Sequence, residues 1–142
     1  MSDTKINIFI VEDDFVFIEI LVNLLEELKA DYKKKGIDIQ IQTFYSTKEA
    51  GYELSQKPDI VLLDYFLMDD ELQADTGDKI LDVIKEHYPQ IKVLVISGQE
   101  QPSVKQELLK KGALAYLGKD KESLNKIKPL ISSLINGKLD LN

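Results

Sequence analysis

The chain reads as an α/β protein built on a parallel sheet, and two observations lead there. Apolar runs of strand length recur five times, and each is followed by a stretch whose apolar residues return at helical spacing. Strands and helices alternating in that order are the signature of parallel strands joined by crossover helices. With 142 residues, 44% of them hydrophobic, the chain can bury one core without a metal or disulfide staple, and a single domain over 1–142 is expected.

The strands are placed at Ile6 to Val11, Ile37 to Phe44, Ile60 to Leu63, Val93 to Ile96 and Leu114 to Leu117. In the second, Ile37, Ile39 and Ile41 alternate with Asp38, Gln40 and Gln42, so one of its faces is wetter and the strand belongs at a sheet edge. The first helix carries Phe17, Leu21, Leu24 and Leu28 on one side, and the third carries Leu81, Ile84 and Tyr88. The second fits Thr47 to Gln56. The fourth starts at Pro102, holds Val104, Leu108 and Leu109, and ends at Gly112. The fifth carries Leu124, Ile127, Ile131 and Leu134, and Pro129 is expected to kink or restart it.

Composition removes several functions. No cysteine is present, which excludes disulfides and thiolate metal sites. A formal charge of −7, with the lysines spread over helix-like segments, argues against a nucleic-acid groove. The polar start of the chain is unlike a signal peptide, and no apolar run is long enough to span a bilayer, so no membrane role and a cytoplasmic location are expected. There is no repeat, low-complexity tract or Pro/Gly-rich linker to mark a second domain.

Right-handed crossovers bring the C-terminal ends of all strands to one sheet edge, where open α/β proteins place their sites. The residues collected there are Glu12, Asp13 and Asp14, then Asp64, Ser97 and Lys119. Crowded carboxylates repel one another, and a divalent cation removes that penalty; an oxygen-only cluster suits Mg²⁺. Asp64 ends a buried strand with its side chain at the exposed edge, which is good placement for a nucleophile. Phosphoryl transfer to a carboxylate also needs a cation and further donors, which Lys119 and the Ser97 hydroxyl can supply. Plainer alternatives stand beside each of these. The acidic run can be a helix N-cap, Ser97 a turn residue before Gly98, and Lys119 a solvated loop lysine. His87 near a helix end reads as a surface histidine.

Four segments in order resemble the two-component response-regulator receiver family, of the chemotaxis-type single-domain kind. They are Ile8 to Asp14, Pro58 to Asp64, Val93 to Gly98 and Ala115 to Lys119, each closing on a strand end. The resemblance implies a flavodoxin-like, doubly wound (βα)5 fold with strand order 2-1-3-4-5 and a phosphoacceptor at Asp64. It implies Mg²⁺ held by Asp13, Asp64 and the backbone carbonyl of Phe66, with Glu12 acting through a water. Ser97 matches the family's switch hydroxyl, Lys119 its lysine, and Tyr116 its switch aromatic, although an aromatic residue in a strand can equally be core. The implied role is a signalling switch in a phosphorelay and not an enzyme, although it would assist its own phosphorylation and dephosphorylation. A histidine kinase or phosphotransfer protein would be the donor. Output would pass by protein contact to an unknown partner, or to a second copy through the face of the fourth helix, fifth strand and fifth helix.

Two departures stand out. Asp120 follows Lys119 where most of the family has a proline in a cis bond, a Lys-Asp pair that a subset of receivers shares; without proline the bond is expected to be trans, or the loop strained. The segment Tyr65 to Thr76, before Gly77, is longer than usual and carries Asp69, Asp70, Glu71 and Asp75. Two other functions compete. One is a receiver-like binding module that works without phosphate. The other is a Mg²⁺-dependent phosphohydrolase of the haloacid-dehalogenase kind, which would want a second Asp where Phe66 stands.

Overall fold

The computed structural model describes residues 4–70, 73–76, 78–98 and 102–141, and of the stretch 66–78 the backbone alone. Five parallel strands form the main sheet: β1 (Thr4–Val11), β2 (Ile37–Phe44), β3 (Ile60–Asp64), β6 (Lys92–Ser97) and β7 (Ala115–Gly118). They lie in the order β2-β1-β3-β6-β7, which is the expected 2-1-3-4-5 among the parallel strands, with β2 at an edge. The two remaining strands, β4 (Phe66–Asp70) and β5 (Gln73–Thr76), pair antiparallel as a separate hairpin. The expectation of a plain long loop between Tyr65 and Thr76 is therefore corrected. The run Phe66-Leu67-Met68 has strand character although acidic residues follow it. The acidic side chains of that segment, and Gly77, lie outside the described residues.

Alternation along each strand divides the core between two faces. Ile6, Ile8 and Ile10 of β1, with Ile60 and Leu62 of β3, pack under α1 (Phe15–Lys33) and α5 (Lys121–Lys138). Phe9 and Val11, with Val61 and Leu63, pack under α2 (Thr47–Glu53), α3 (Asp78–His87) and α4 (Pro102–Lys110). Burying each Ile, Leu or Phe contributes roughly 1.5–3 kcal/mol, so strands covered on both sides are the most strongly held part of the chain. That rigidity reaches the last residue of each strand, where the site begins.

The helices keep their expected faces with small shifts. Leu25 is buried where Leu24 is only partly so, and Leu108 is buried while its neighbour Leu109 is exposed. The second helix stops at Glu53 and continues as one 3₁₀ turn, Leu54–Gln56. The fifth runs through Pro129 as one helix, so it does not restart there. Proline removes one helical N–H, but Ile127, Ile131 and Ile135 on both sides of it are fully buried on one face, and that packing holds the two halves together. Gly112, at φ +106°, makes the turn from α4 toward β7 that residues with a Cβ rarely make.

Candidate functional site

The ends of β1, β3, β6 and the β7–α5 connection meet at one edge of the sheet. Glu12 follows β1, and its N–H donates to the Phe44 carbonyl (2.9 Å), which ties it to the neighbouring strand. Its carboxylate is 1% exposed and fully engaged. Oε2 accepts from the N–H groups of Asp13 (3.0 Å) and Asp14 (3.2 Å), and Oε1 meets Lys119 Nζ at 2.7 Å. Asp64 closes β3 and is 5% exposed, with an oxygen 3.6 Å from the same ammonium. Ser97 closes β6, is 1% exposed, and stands in register with Gly118, the residue before Lys119.

Lys119 is thus an inward lysine and not a solvated loop residue. Its ammonium lies 4.5 Å from the centre of the Phe17 ring, a contact between distant segments that no local pattern signals. Burial pushes its pKa down, but the hydrogen bond to Glu12 and the charges of Asp64, Glu12 and Asp14 outweigh that, and it titrates above the ordinary 10.5.

Glu12, Asp13 and Asp64 can each turn an oxygen to within 4.8 Å of the others. Three carboxylates against one ammonium leave two negative charges in a largely buried cluster, which calls for a divalent cation. The donors are all oxygen, as Mg²⁺ prefers. Both Glu12 oxygens already have partners within the protein. Phe66 opens β4 two residues beyond Asp64.

Asp14 takes the helix-cap role: its side chain accepts from the N–H groups of Val16 (2.9 Å) and Phe17 (3.4 Å) at the start of α1. The cap reading of the acidic run thus holds for Asp14. Asp120 plays the same part for α5, accepting from the Ser123 N–H (2.8 Å) and hydroxyl (3.0 Å), which together hold its carboxyl below the usual range. No cis peptide bond occurs among the described residues, so the Lys119–Asp120 bond is trans. Gly118 makes this cap possible, since a Cβ there would sit 2.5 Å from Asp120 Oδ2. Tyr116 is half-buried against the core beneath α2, α3 and α4, and lines a cavity of about 360 Å³ with Lys105, Ser123 and Lys126. His87 is exposed, 3.9 Å from Glu86.

A family model described as the response regulator receiver domain matches residues 8–130. The chain belongs to that family. Solved structures agree. A signal receiver domain of a DNA-binding response regulator protein (merR) from Colwellia psychrerythraea is 27% identical at a TM-score of 0.70, covering 89% of this chain and 98% of its own. A CheY-like response regulator receiver domain protein from Methanospirillum hungatei is 19% identical at 0.72, covering 96% and 99%. A CheX-CheY-BeF3-Mg complex from Borrelia burgdorferi is 21% identical at 0.68, covering 90% and 88%. No curated protein matches the chain by sequence. The receiver domain is a signalling domain, and none of its described helices is long and apolar enough to cross a membrane.

Proposed function

We propose that this receiver domain accepts a phosphoryl group on Asp64 and signals the change through protein contacts. The observation that carries the reading is the buried Asp64 carboxylate with Lys119 Nζ 3.6 Å away and the Glu12–Asp13 pair beside it. An Asp64 oxygen attacks phosphorus in line, the new O–P bond forms as the bond to the donor breaks, and the leaving group departs with its electron pair. Lys119, anchored on Glu12, has its ammonium within a small movement of an oxygen on Asp64-bound phosphate, and the Ser97 hydroxyl offers a second donor. Asp13 and Asp64, with the Phe66 carbonyl, would hold Mg²⁺, which when bound neutralises charge on the phosphoryl oxygens. The donor would be a histidine kinase or a phosphotransfer protein.

Engaging Lys119 and Ser97 changes the ends of β6 and β7, which adjoin α4 and α5. Tyr116, half-buried between them, is the aromatic side chain placed to turn with that change, so the α4-β7-α5 face is the proposed output surface and a candidate for self-association.

Intact mass after incubation with acetyl phosphate tests the chemistry. The wild type should gain one phosphoryl group with Mg²⁺ and none after chelation, and Asp64→Asn should gain none. Equal labelling of Asp64→Asn would remove the phosphoacceptor assignment. If the wild type stays unlabelled, beryllofluoride titrated with Mg²⁺ distinguishes a competent site lacking its kinase from a phosphate-independent module.

A further inference from the structure

We propose that the opposite edge of the sheet holds a second binding site, for a small amphiphilic anion. At the N-terminal ends of β1, β3 and β6, beneath the last turns of α5, lies a cavity of about 660 Å³. That volume falls in the range of pockets that take small organic ligands. Its apolar lining comes from Ile6, Ile60, Leu134 and Ile135.

The charge around this lining is not balanced. Asp59 is matched: Oδ2 accepts the Asn7 N–H at 2.8 Å and Oδ1 pairs with Lys138. Lys57 and Lys92 line the same cavity and have no ion pair among the described residues. One carboxylate among three lysines leaves two positive charges beside an apolar floor, in a protein whose formal charge is −7. A ligand with an apolar body and a carboxylate, sulfonate or phosphate head satisfies both halves of that arrangement.

Lys57 is the left-handed cap of the 3₁₀ turn Leu54–Gln56, with φ 56° and ψ 62°. Hydrogen bonds on both sides hold it there, from Lys57 N–H to the Leu54 carbonyl and from Asp59 N–H to the Asn7 carbonyl, each 2.8 Å. Its place on the cavity is therefore fixed by its backbone. β3 runs from Ile60 at this cavity to Asp64 at the other edge, so the occupant is separate from the phosphoryl site and its binding does not depend on that chemistry.

Anilinonaphthalene sulfonate, an apolar dye with one anionic group, is the probe. Titrated into the full chain with amide chemical-shift mapping, it should bind saturably at one site and move the signals of Ile6, Gln90 and Gly137. The doubly substituted Lys57→Gln, Lys92→Gln protein should bind it at least about tenfold more weakly, and wild type should prefer it to uncharged phenylnaphthylamine by a similar factor. Shifts centred elsewhere, no saturation, or equal affinity in the doubly substituted protein would overturn the proposal. The mapping on wild type stands whether or not that variant folds.

Discussion

Two carboxylate–lysine pairs stand at opposite edges of one sheet, Glu12 with Lys119 and Asp59 with Lys138. Their chemistry is the same and their settings are not. Lys119 is 25% exposed and its partner carboxylate almost fully buried, whereas Lys138 is 54% exposed. Around the first pair the surplus charge is negative, from Asp13 and Asp64; around the second it is positive, from Lys57 and Lys92. The sign of the unbalanced charge is therefore opposite at the two edges, negative beside Lys119 and positive beside Lys138. How strongly each pair matters to the fold should follow its desolvation.

The largest effect expected on stability comes from removing the buried pair's cation. Lys119→Met keeps the stem over Phe17 but leaves Glu12 and Asp64 without their ammonium. Breaking a fully buried pair costs about 3–5 kcal/mol, and discounting for the exposed quarter of Lys119 leaves a loss of about 2 kcal/mol. Urea unfolding in the presence of a chelator measures it. A loss below about 0.5 kcal/mol would mean that the cluster is solvated far better than its burial indicates.

Removing a negative charge from the same edge should act the other way. Asp13→Asn relieves repulsion with Glu12 and Asp64 and should stabilise the metal-free protein by about 1 kcal/mol. Mg²⁺ is expected to raise the stability of the wild type, and Asp13→Asn should abolish that rise. An unchanged response to Mg²⁺ would take Asp13 out of the metal site.

The pH dependence sharpens the same point. Because the Lys119 pKa is raised in the folded state, its contribution is fully present below 10.5 and is lost as pH rises through its higher folded-state value. From neutral pH the stability gap between wild type and Lys119→Met should therefore hold up to about 10.5 and shrink above it. A gap that closed at lower pH would contradict the raised pKa.

The strand-end residues were legible in the sequence because each is fixed by a short apolar run immediately before it. Val11, Leu63 and Ile96 are buried, so Glu12, Asp64 and Ser97 have nowhere to stand but the edge. Their meeting at one edge followed from that, whereas the strand order came from the family resemblance. What could not be read depends on how side chains from distant segments meet. The engagement of both Glu12 oxygens needs Lys119 to fold inward, and nothing near Lys119 in sequence says that Phe17 lies beneath it. Asp120 looked like a departure where proline was expected; its purpose as the α5 cap appears only with Ser123 and the space left by Gly118. The continuous α5 was hidden for a related reason, because Pro129 is a local signal and the isoleucine face that overrides it is a tertiary one.

The smallest effect belongs to the outer pair. Lys138→Ala should change stability by no more than about 0.5 kcal/mol, because more than half of that side chain is exposed, and raising the salt concentration should erase even this. Asp59 Oδ2 keeps its hydrogen bond from the Asn7 N–H in this variant, and only Oδ1 loses its partner. Chemical denaturation of Lys138→Ala and Lys119→Met at low and high salt puts the two pairs on one scale. If Lys138→Ala costs as much as Lys119→Met, burial is not what separates them, and the lower edge is held by its ion pair as firmly as the site. If the costs differ as expected, the lower pair adds little to the fold, and its burial is what separates it from the Glu12–Lys119 pair.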